Sequence, residues 1–483
     1  MATPSLKISV GLEIHARLKT RRKIFCCCPN RYGDVPNSNT CPVCLGLPGS
    51  LPVLNPEIVE PALRAATALN CDIALESEFS RKNYFYPDLP RNFQITQYRR
   101  PLALGGYLEV GGLRVNLTRI HLEEDAGRIL GSPSGNTRVD LNRAGAPLIE
   151  IVTEPDLQNG HQARQWLTRL RQILRYLDVC DGDMENGSLR CDANVGLLGD
   201  HDQAGAWVEL KNLNSFKWVS QAVDFEIERL IKKVADGETL QRETRSWDPR
   251  KRITILLRLK EASADYRFFP EPDLPLLVVD SSLLETVAHK LPELPAAREK
   301  RFRSTFGLSA ADAVTICRSL ELGNYFESCA MSLADEAGLT KDDSGSLVLP
   351  WVLSQVLGAV GGRDDKLSCL SLTPEKLAEI LGLLVSETIH RTQARMIVQQ
   401  VLDCLDEVDL SAFVPSSAEQ DQQNEELLDK YCLQVLQQHP VKAEALRTGK
   451  KGLLNFFIGQ VISLCGGSFD AQKIRINLIK KLS

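Results

Sequence analysis

Two groups of residues near the N-terminus are of the types that do chemistry. Cys26 and Cys28 stand as C-x-C and Cys41 and Cys44 as C-x-x-C, with twelve residues between the pairs. Two short thiolate pairs carried on turns can close a tetrahedron around Zn²⁺. Pro29-Asn30, Gly33-Asp34, Pro36-Asn37, Pro42 and Gly46 supply the turns. Four thiolates leave no open position for a substrate, so the expected role is structural. Cys27 is a spare, because neighbouring cysteines seldom all face one metal. The competing reading, unrelated buried thiols, sits poorly with the paired spacing.

The second group is carboxylate and imidazole. Glu13 and His15 lie two apart in an alternating stretch, so on a strand both leave the same face. The segment His121-Leu-Glu-Glu124-Asp-Ala-Gly127 is acidic, and Glu150 interrupts the apolar run Pro147-Leu-Ile-Glu150-Ile-Val152. A buried carboxylate without a partner is costly, so Glu150 must meet a cation or a hydrogen-bond network. Each carboxylate taken alone is more simply a solvated or ion-paired side chain. Composition does not bring the three segments together. The chain has no G-x-x-x-x-G-K-[ST], no G-x-G-x-x-G opening a helix and no H-E-x-x-H. Any ATP it binds is therefore not held by a P-loop.

These residues need a scaffold. In residues 7–15, Ile8, Val10, Leu12 and Ile14 alternate with polar positions, which predicts a strand with Leu12 and Ile14 toward the core. Residues 107–117 predict a hairpin turning at Gly111-Gly112, where two positive φ angles are needed. Asn55-Pro56-Glu57 predicts a helix start. Trp166, Leu170, Ile173, Leu174 and Leu177 mark the buried stripe of another helix. Residues 1–295 are expected to form a mixed α+β domain with the knuckle at 26–44, residues 296–412 a helical domain, and 413–483 a helical tail. The stretch Pro415–Asn424 is polar and predicts a linker. Phe457, Val461 and Leu464 predict one face of a tail helix.

The 483-residue chain carries a formal charge of -5, so it is no basic nucleic-acid coat. Charge is nevertheless segregated. Residues 441–483 hold eight Lys/Arg against two Asp/Glu, and residues 402–430 hold one against nine. The basic end suggests a polyanion contact, with a solvated helical surface as the plainer alternative. The first fifteen residues contain no apolar run of signal-peptide length, and nothing reaches the span of a membrane helix. The expectation is a cytoplasmic protein that does not enter membranes. Its fourteen cysteines are then thiols or metal ligands rather than disulfides.

Several blocks, taken in order, resemble the B-subunit family of the bacterial-type aspartyl/glutamyl-tRNA(Asn/Gln) amidotransferases. They include Val-Gly11-Leu-Glu-Ile-His15, Cys41-Pro-Val-Cys44 through Asn55, Arg81 to Asp88, His121 to Gly127 and Val139 to Arg143. Further blocks are Pro147 to Asp156, Gly187 to Asn194, Glu209 to Ser215, Asp265 to Asp273, Gly449-Lys450 and Phe457 to Gln460. Between about 300 and 445 the likeness is one of length and helical character.

The resemblance implies a cradle-like catalytic domain built on a mixed sheet, then an all-α domain and a small all-α tail that holds tRNA. It implies an ATP-dependent reaction on misacylated Glu-tRNA(Gln) or Asp-tRNA(Asn). The side-chain carboxylate becomes an acyl phosphate, which ammonia displaces to give Gln-tRNA(Gln) or Asn-tRNA(Asn). The Mg²⁺ site it implies uses Glu13, His15, Glu124 and Glu150. Mg²⁺ prefers oxygen ligands, so His15 acts through a water or the site accepts Mn²⁺. Lys82, Arg190 and Asp192 are implied as further catalytic residues, and Glu209, Lys211, Lys450 and Lys451 as substrate-binding ones.

The implied partners are an amidase-type A subunit that releases ammonia from glutamine, a small C subunit, and a non-discriminating aminoacyl-tRNA synthetase. A non-catalytic, zinc-containing tRNA-binding subunit is the alternative; it leaves Glu13, His15 and Glu150 unexplained. The related E subunit carries a large inserted domain, for which 483 residues leave no room.

Overall fold

The computed structural model describes residues 7–131, 137–198, 207–259, 266–403, 410, 417–447, 451–465, 469 and 471–482. Lys450 and the Gly466-Gly467-Ser468 run lie outside these residues, as does the side chain of Lys451. The chain divides into two compact units, Met1–Arg298 and Glu299–Ser483.

The first unit is built on a mixed sheet with ten strands among the described residues. Its centre is β1 (Lys7–Arg17). Chain order then gives α1 (Val59–Ala68), β2 (Ser80–Asn83), β3 (Phe93–Thr96), β4 (Tyr107–Val110), β5 (Leu113–Glu124) and β6 (Pro147–Thr153). After these come α2 (Gly160–Tyr176), β7 (Leu189–Leu198), β8 (Val208–Lys211), α3 (Phe216–Ala235), β9 (Glu243–Asp248) and β10 (Ile253–Leu259). Across the sheet the order is β10-β9-β8-β7-β1-β6-β5, continued by two short strands. The β8–β9 pair is parallel, and β1 is antiparallel to both its neighbours.

Period-two alternation sorts the side chains. Val10, Leu12, Ile14 and Ala16 of β1 are fully buried, together with Ile149 and Ile151 of β6 and Ala193 and Val195 of β7. They share one apolar cluster with Trp166, Leu170 and Leu174 of α2 and Val219 and Val223 of α3. Each large apolar side chain removed from water contributes about 1.5–3 kcal/mol, which fixes which face of β1 points inward. The two helices approach closely at Gly160, where a Cβ would lie 2.1 Å from the Ser220 carbonyl oxygen. Gly160 N–H donates to Asp224 at 2.7 Å, so an alanine there would break both packing and the bond.

The hairpin forms as expected, with Gly111 at φ 60° and Gly112 at φ 81° between β4 and β5. Asn55 caps a short 3₁₀ turn, Pro56–Ile58, its side chain accepting from Glu57 N–H. A second, three-stranded sheet pairs β2 with β3 and with Phe269–Pro270.

The second unit is helical among its described residues and has two apolar cores. One holds Phe302, Phe306 and Phe326 with the helices Leu320–Ala337 and Pro374–Val385. The other holds Cys432, Val435, Phe457, Val461, Ile474 and Leu478. Two expectations are corrected here. The polar stretch expected to be a linker is helical from Ser417, within Ser417–Gln438; lacking Pro and Gly after Pro415, it has nothing to break a helix. In the tail helix Leu454–Cys465 the buried stripe is Phe457, Val461 and Cys465, whereas Leu464 is 39% exposed. Successive steps of four keep one face.

Candidate active site

The polar face of the sheet carries the chemistry. Cross-strand register sets Arg190 of β7 opposite His15 of β1, His15 opposite Glu150 of β6, and Glu150 opposite His121 of β5. Four strands thus contribute one residue each to a single row. Glu13 faces Asp192 in the adjacent row, and Asn194 faces Glu209 of β8. Directly opposed side chains lie within contact range, so three segments distant in sequence converge by register alone.

The geometry is tight. His15 Nε2 lies 3.4 Å from Glu150, 3.9 Å from Glu13 and 3.9 Å from Glu123. His121 Nε2 lies 3.3 Å from Glu150 and 3.9 Å from Glu123. Lys82 Nζ, on β2, stands 3.7 Å from Glu123. Gln94 of β3 donates to Glu123 at 2.6 Å, and Tyr84 Oη donates to Gln94 at 3.0 Å. Further along the cleft, Lys211 bridges Asp192 at 2.6 Å and Glu209 at 2.8 Å. Arg190 pairs with Asp125 at 2.8 Å. These groups line a cleft of about 720 Å³ together with Trp207, Arg242 and Tyr266.

Crowding like this moves proton affinities. Burial, then the Glu150 charge, push Glu13 up to about 7. Burial opposes the charged form of His15, but its hydrogen bond to Glu150 and the surrounding carboxylates raise it to about 9. Burial likewise opposes ionisation of Glu150, yet His121 and His15 hold its carboxyl well below the usual range. The imidazolium of His15 stands where a metal cation could.

The donor set fits such a cation. Ligand atoms of Glu13, His15 and Glu150 lie within 4.8 Å of one another, as do those of His121, Glu123 and Glu150. The buried Oε2 of Glu123 has no hydrogen-bond partner. Hard divalent cations take carboxylate oxygens in this kind of spacing, and Mn²⁺ also accepts imidazole.

Glu124 is a correction. It follows Glu123 on β5 and therefore leaves the opposite face. There it accepts from Arg91 Nη1 at 3.0 Å and from Ile95 N–H at 3.0 Å, while Arg91 also donates to the Val43 carbonyl. Glu124 ties the back of the sheet to the cysteine knuckle and does not reach His15 or Glu150. Burial pushes its carboxyl to about 7 despite Arg91. Sequence reasoning does not single out Glu123, His121, Gln94, Tyr84 or Asp125. The signal for two of them is the His121-x-Glu123 spacing, which repeats the Glu13-x-His15 pattern on a second strand.

The four cysteines of the knuckle converge. Ligand atoms of Cys26, Cys28, Cys41 and Cys44 lie within 4.8 Å of one another, with Cys28–Cys44 at 3.9 Å and Cys41–Cys44 at 3.8 Å. Tetrahedral Zn²⁺ at about 2.3 Å from each sulfur puts the sulfurs about 3.8 Å apart, so the residues fit the ion. Cys27 is exposed and outside the group. Lys23, fully buried, places Nζ 3.7 Å from Cys44 Sγ and donates to the Asn39 carbonyl at 2.8 Å. Cys26 and then Lys23 help draw the Cys44 thiol down to about 4.

A mixed sheet with a carboxylate–imidazole row on one face, a cationic rim and a four-cysteine knuckle beside it defines a metal-assisted, anion-handling cleft. Residues 8–285 match the model of the GatB/GatE catalytic domain, and residues 334–482 match that of the GatB domain. The chain is 40% identical over 471 residues to the B subunit of the aspartyl/glutamyl-tRNA(Asn/Gln) amidotransferase of Thermosipho melanesiensis, covering 96% of each chain. It is 40% identical over 487 residues to the like-named protein of Geotalea daltonii, and 41% over 488 residues to that of Moorella thermoacetica, covering 98% of each chain in both cases. The chain belongs to the GatB family.

Proposed function

We propose that this chain is the tRNA-binding, ATP-dependent subunit of an aspartyl/glutamyl-tRNA amidotransferase, as the names of its relatives suggest. The observation that carries the reading is the row Arg190–His15–Glu150–His121, with Lys82 beside it, inside one cleft. A carboxylate resists attack by ammonia. Phosphoryl transfer from ATP forms a bond from the carboxylate oxygen to the γ-phosphorus and releases ADP. Ammonia then forms the C–N bond, the acyl C–O bond breaks, and inorganic phosphate leaves.

Each residue has a task in that scheme. Lys82 and Arg190 hold phosphoryl oxygens by charge and hydrogen bonding. Glu13, His15, Glu123 and Glu150 hold a divalent cation, Mg²⁺ or Mn²⁺, which when bound neutralises phosphate charge. His121, buried behind Glu150 and Glu123, orients both carboxylates. Asp192 and Glu209, set by Lys211, offer acceptors for the α-ammonium of the esterified amino acid. Cys26, Cys28, Cys41 and Cys44 hold a structural Zn²⁺ that fixes the loop behind Arg91 and Glu124.

The sheet unit carries the chemistry and the tail contacts tRNA, where Lys442, Arg447, Lys473, Arg475 and Lys480 are exposed. An amidase-type A subunit supplies ammonia from glutamine, and a small C subunit completes the assembly. No helix among the described residues is long and apolar enough to cross a membrane, and the reaction belongs in the cytoplasm, where tRNA is charged.

The test is to co-express the chain with candidate A and C subunits and assay Glu-tRNA(Gln) and Asp-tRNA(Asn) with ATP, Mg²⁺ and either glutamine or ammonium. Amide formation that requires ATP supports the reading. Binding of tRNA with no amide from either nitrogen source leaves only the non-catalytic alternative.

A further inference from the structure

Beside the cleft lies a loop whose aromatic side chains point away from the protein. Phe85 is 80% exposed and Tyr86 58% exposed, among the largest exposures of any apolar side chain in the first unit. The loop is nonetheless anchored at both ends to residues of the cleft. Asn83 N–H donates to the Tyr266 carbonyl at 3.0 Å, and Gly127 N–H donates to the Asp88 carbonyl at 2.8 Å. Tyr84, between them, lines the cleft and meets Tyr86 edge to face at 6.1 Å. An exposed aromatic pair on a tethered loop has little rotational freedom left to lose on binding a flat ligand.

The surroundings select the ligand. Arg143 donates to the Ala126 and Gly127 carbonyls, and Arg190 pairs with Asp125, so both guanidiniums sit on the strip that ties down this loop. Their side chains remain 32% and 36% exposed. Rings with open faces beside a cationic strip are the elements that hold single-stranded nucleic acid, rings for bases and guanidiniums for phosphates. A protein partner would instead favour an apolar rim without the paired cations.

We propose that Phe85 and Tyr86 are the stacking platform for the unpaired 3′-terminal nucleotides of the aminoacylated tRNA. This rests on the amidotransferase reading, because an amino acid held near Glu150 is esterified to the last of those nucleotides. The cleft takes the amino acid and the phosphates; the terminal bases lie on the rim, on Phe85 and Tyr86.

The assembled complex would be tested with tRNA carrying 2-aminopurine as its 3′-terminal base, and with ordinary Glu-tRNA(Gln) in the amidation assay. The wild type should quench the 2-aminopurine on binding. Phe85→Ala with Tyr86→Ala should abolish the quench, raise KM for Glu-tRNA(Gln) about tenfold and leave kcat within about twofold. Both residues are exposed, so the double variant should fold, and circular dichroism checks this. Phe85→Trp supplies a second signal, quenching of its indole by tRNA. An unchanged quench and KM in the double variant overturns the platform. So does loss of the A or C subunit from the variant with the quench retained, which would mark a protein interface. A wild type that amidates with no quench overturns the platform alone; one that quenches but never amidates overturns the enzymatic reading alone.

Discussion

Glu123 and Glu124 are neighbours in the chain and lie on opposite faces of one strand, the first 3.9 Å from His15 and the second 3.0 Å from Arg91. The pair separates chemistry from architecture. Glu123→Gln should keep the fold and reduce amidation at least about a hundredfold, the order expected when a group aimed at developing charge is lost. Arg91→Ala should instead destabilise the first unit by about 3–5 kcal/mol, because it strands Glu124 in a buried site. Thermal unfolding and amidation rates of the two variants check this; equal effects on both quantities would contradict it.

Cation binding should strengthen as pH rises. Without metal, His15 at about 9 is protonated at neutral pH and Glu13 at about 7 is partly so. Both must lose protons to become ligands. Mn²⁺ affinity should therefore increase between about pH 6 and 9, with net proton release near pH 7. Calorimetry in buffers of different ionisation enthalpy measures that release. Affinity independent of pH, with no release, would contradict the ligand assignment.

The knuckle should hold one zinc per chain. Cys44→Ser should lower zinc content from about one to near zero per chain and open the loop around 26–50 to protease. Cys27→Ser should leave both unchanged, since Cys27 lies outside the group. Lys23→Met should weaken zinc retention without removing a ligand, because Nζ lies near Cys44 Sγ and its charge offsets that of four thiolates. Elemental analysis with limited proteolysis decides among these.

Lys211 spans Asp192 and Glu209, and its removal leaves two carboxylates facing each other in a half-closed cleft. Lys211→Ala should raise KM for the aminoacyl-tRNA with a smaller effect on kcat. Lys211→Arg should recover part of the loss. A change confined to kcat would place Lys211 in phosphoryl transfer instead.

Much of this is legible in the sequence, and the failures have physical causes. Alternation in residues 7–15 places Glu13 and His15 on the polar face of β1, because Leu12 and Ile14 can face only the core. The paired spacing of the cysteines anticipates a four-sulfur cluster, since turns and close sequence neighbours fix it locally. Register is out of reach. That Glu150 stands between His15 and His121 depends on pairing across strands distant in the chain, which no local pattern specifies. The choice of Glu124 over Glu123 fails on the same point, since the face of β5 is set by its partners. Lys23 gives no signal either; a lone lysine among Arg and Lys neighbours reads as surface, yet it is fully buried beside the sulfurs. In the tail helix, a cysteine takes the place expected of a leucine because spacing, not hydrophobicity, chooses the buried position.

The measurement that bears most directly on the proposed site is single-turnover amidation by the assembled complex with Glu150→Gln, alongside tRNA binding by the same sample. Glu150 touches both imidazoles, and the variant keeps its size. The expected result is tRNA affinity within about threefold of wild type and amide formation lower by at least about a thousandfold. Amidation at near wild-type rate, with tRNA bound normally, would show that the carboxylate–imidazole row is not where the carboxylate is activated.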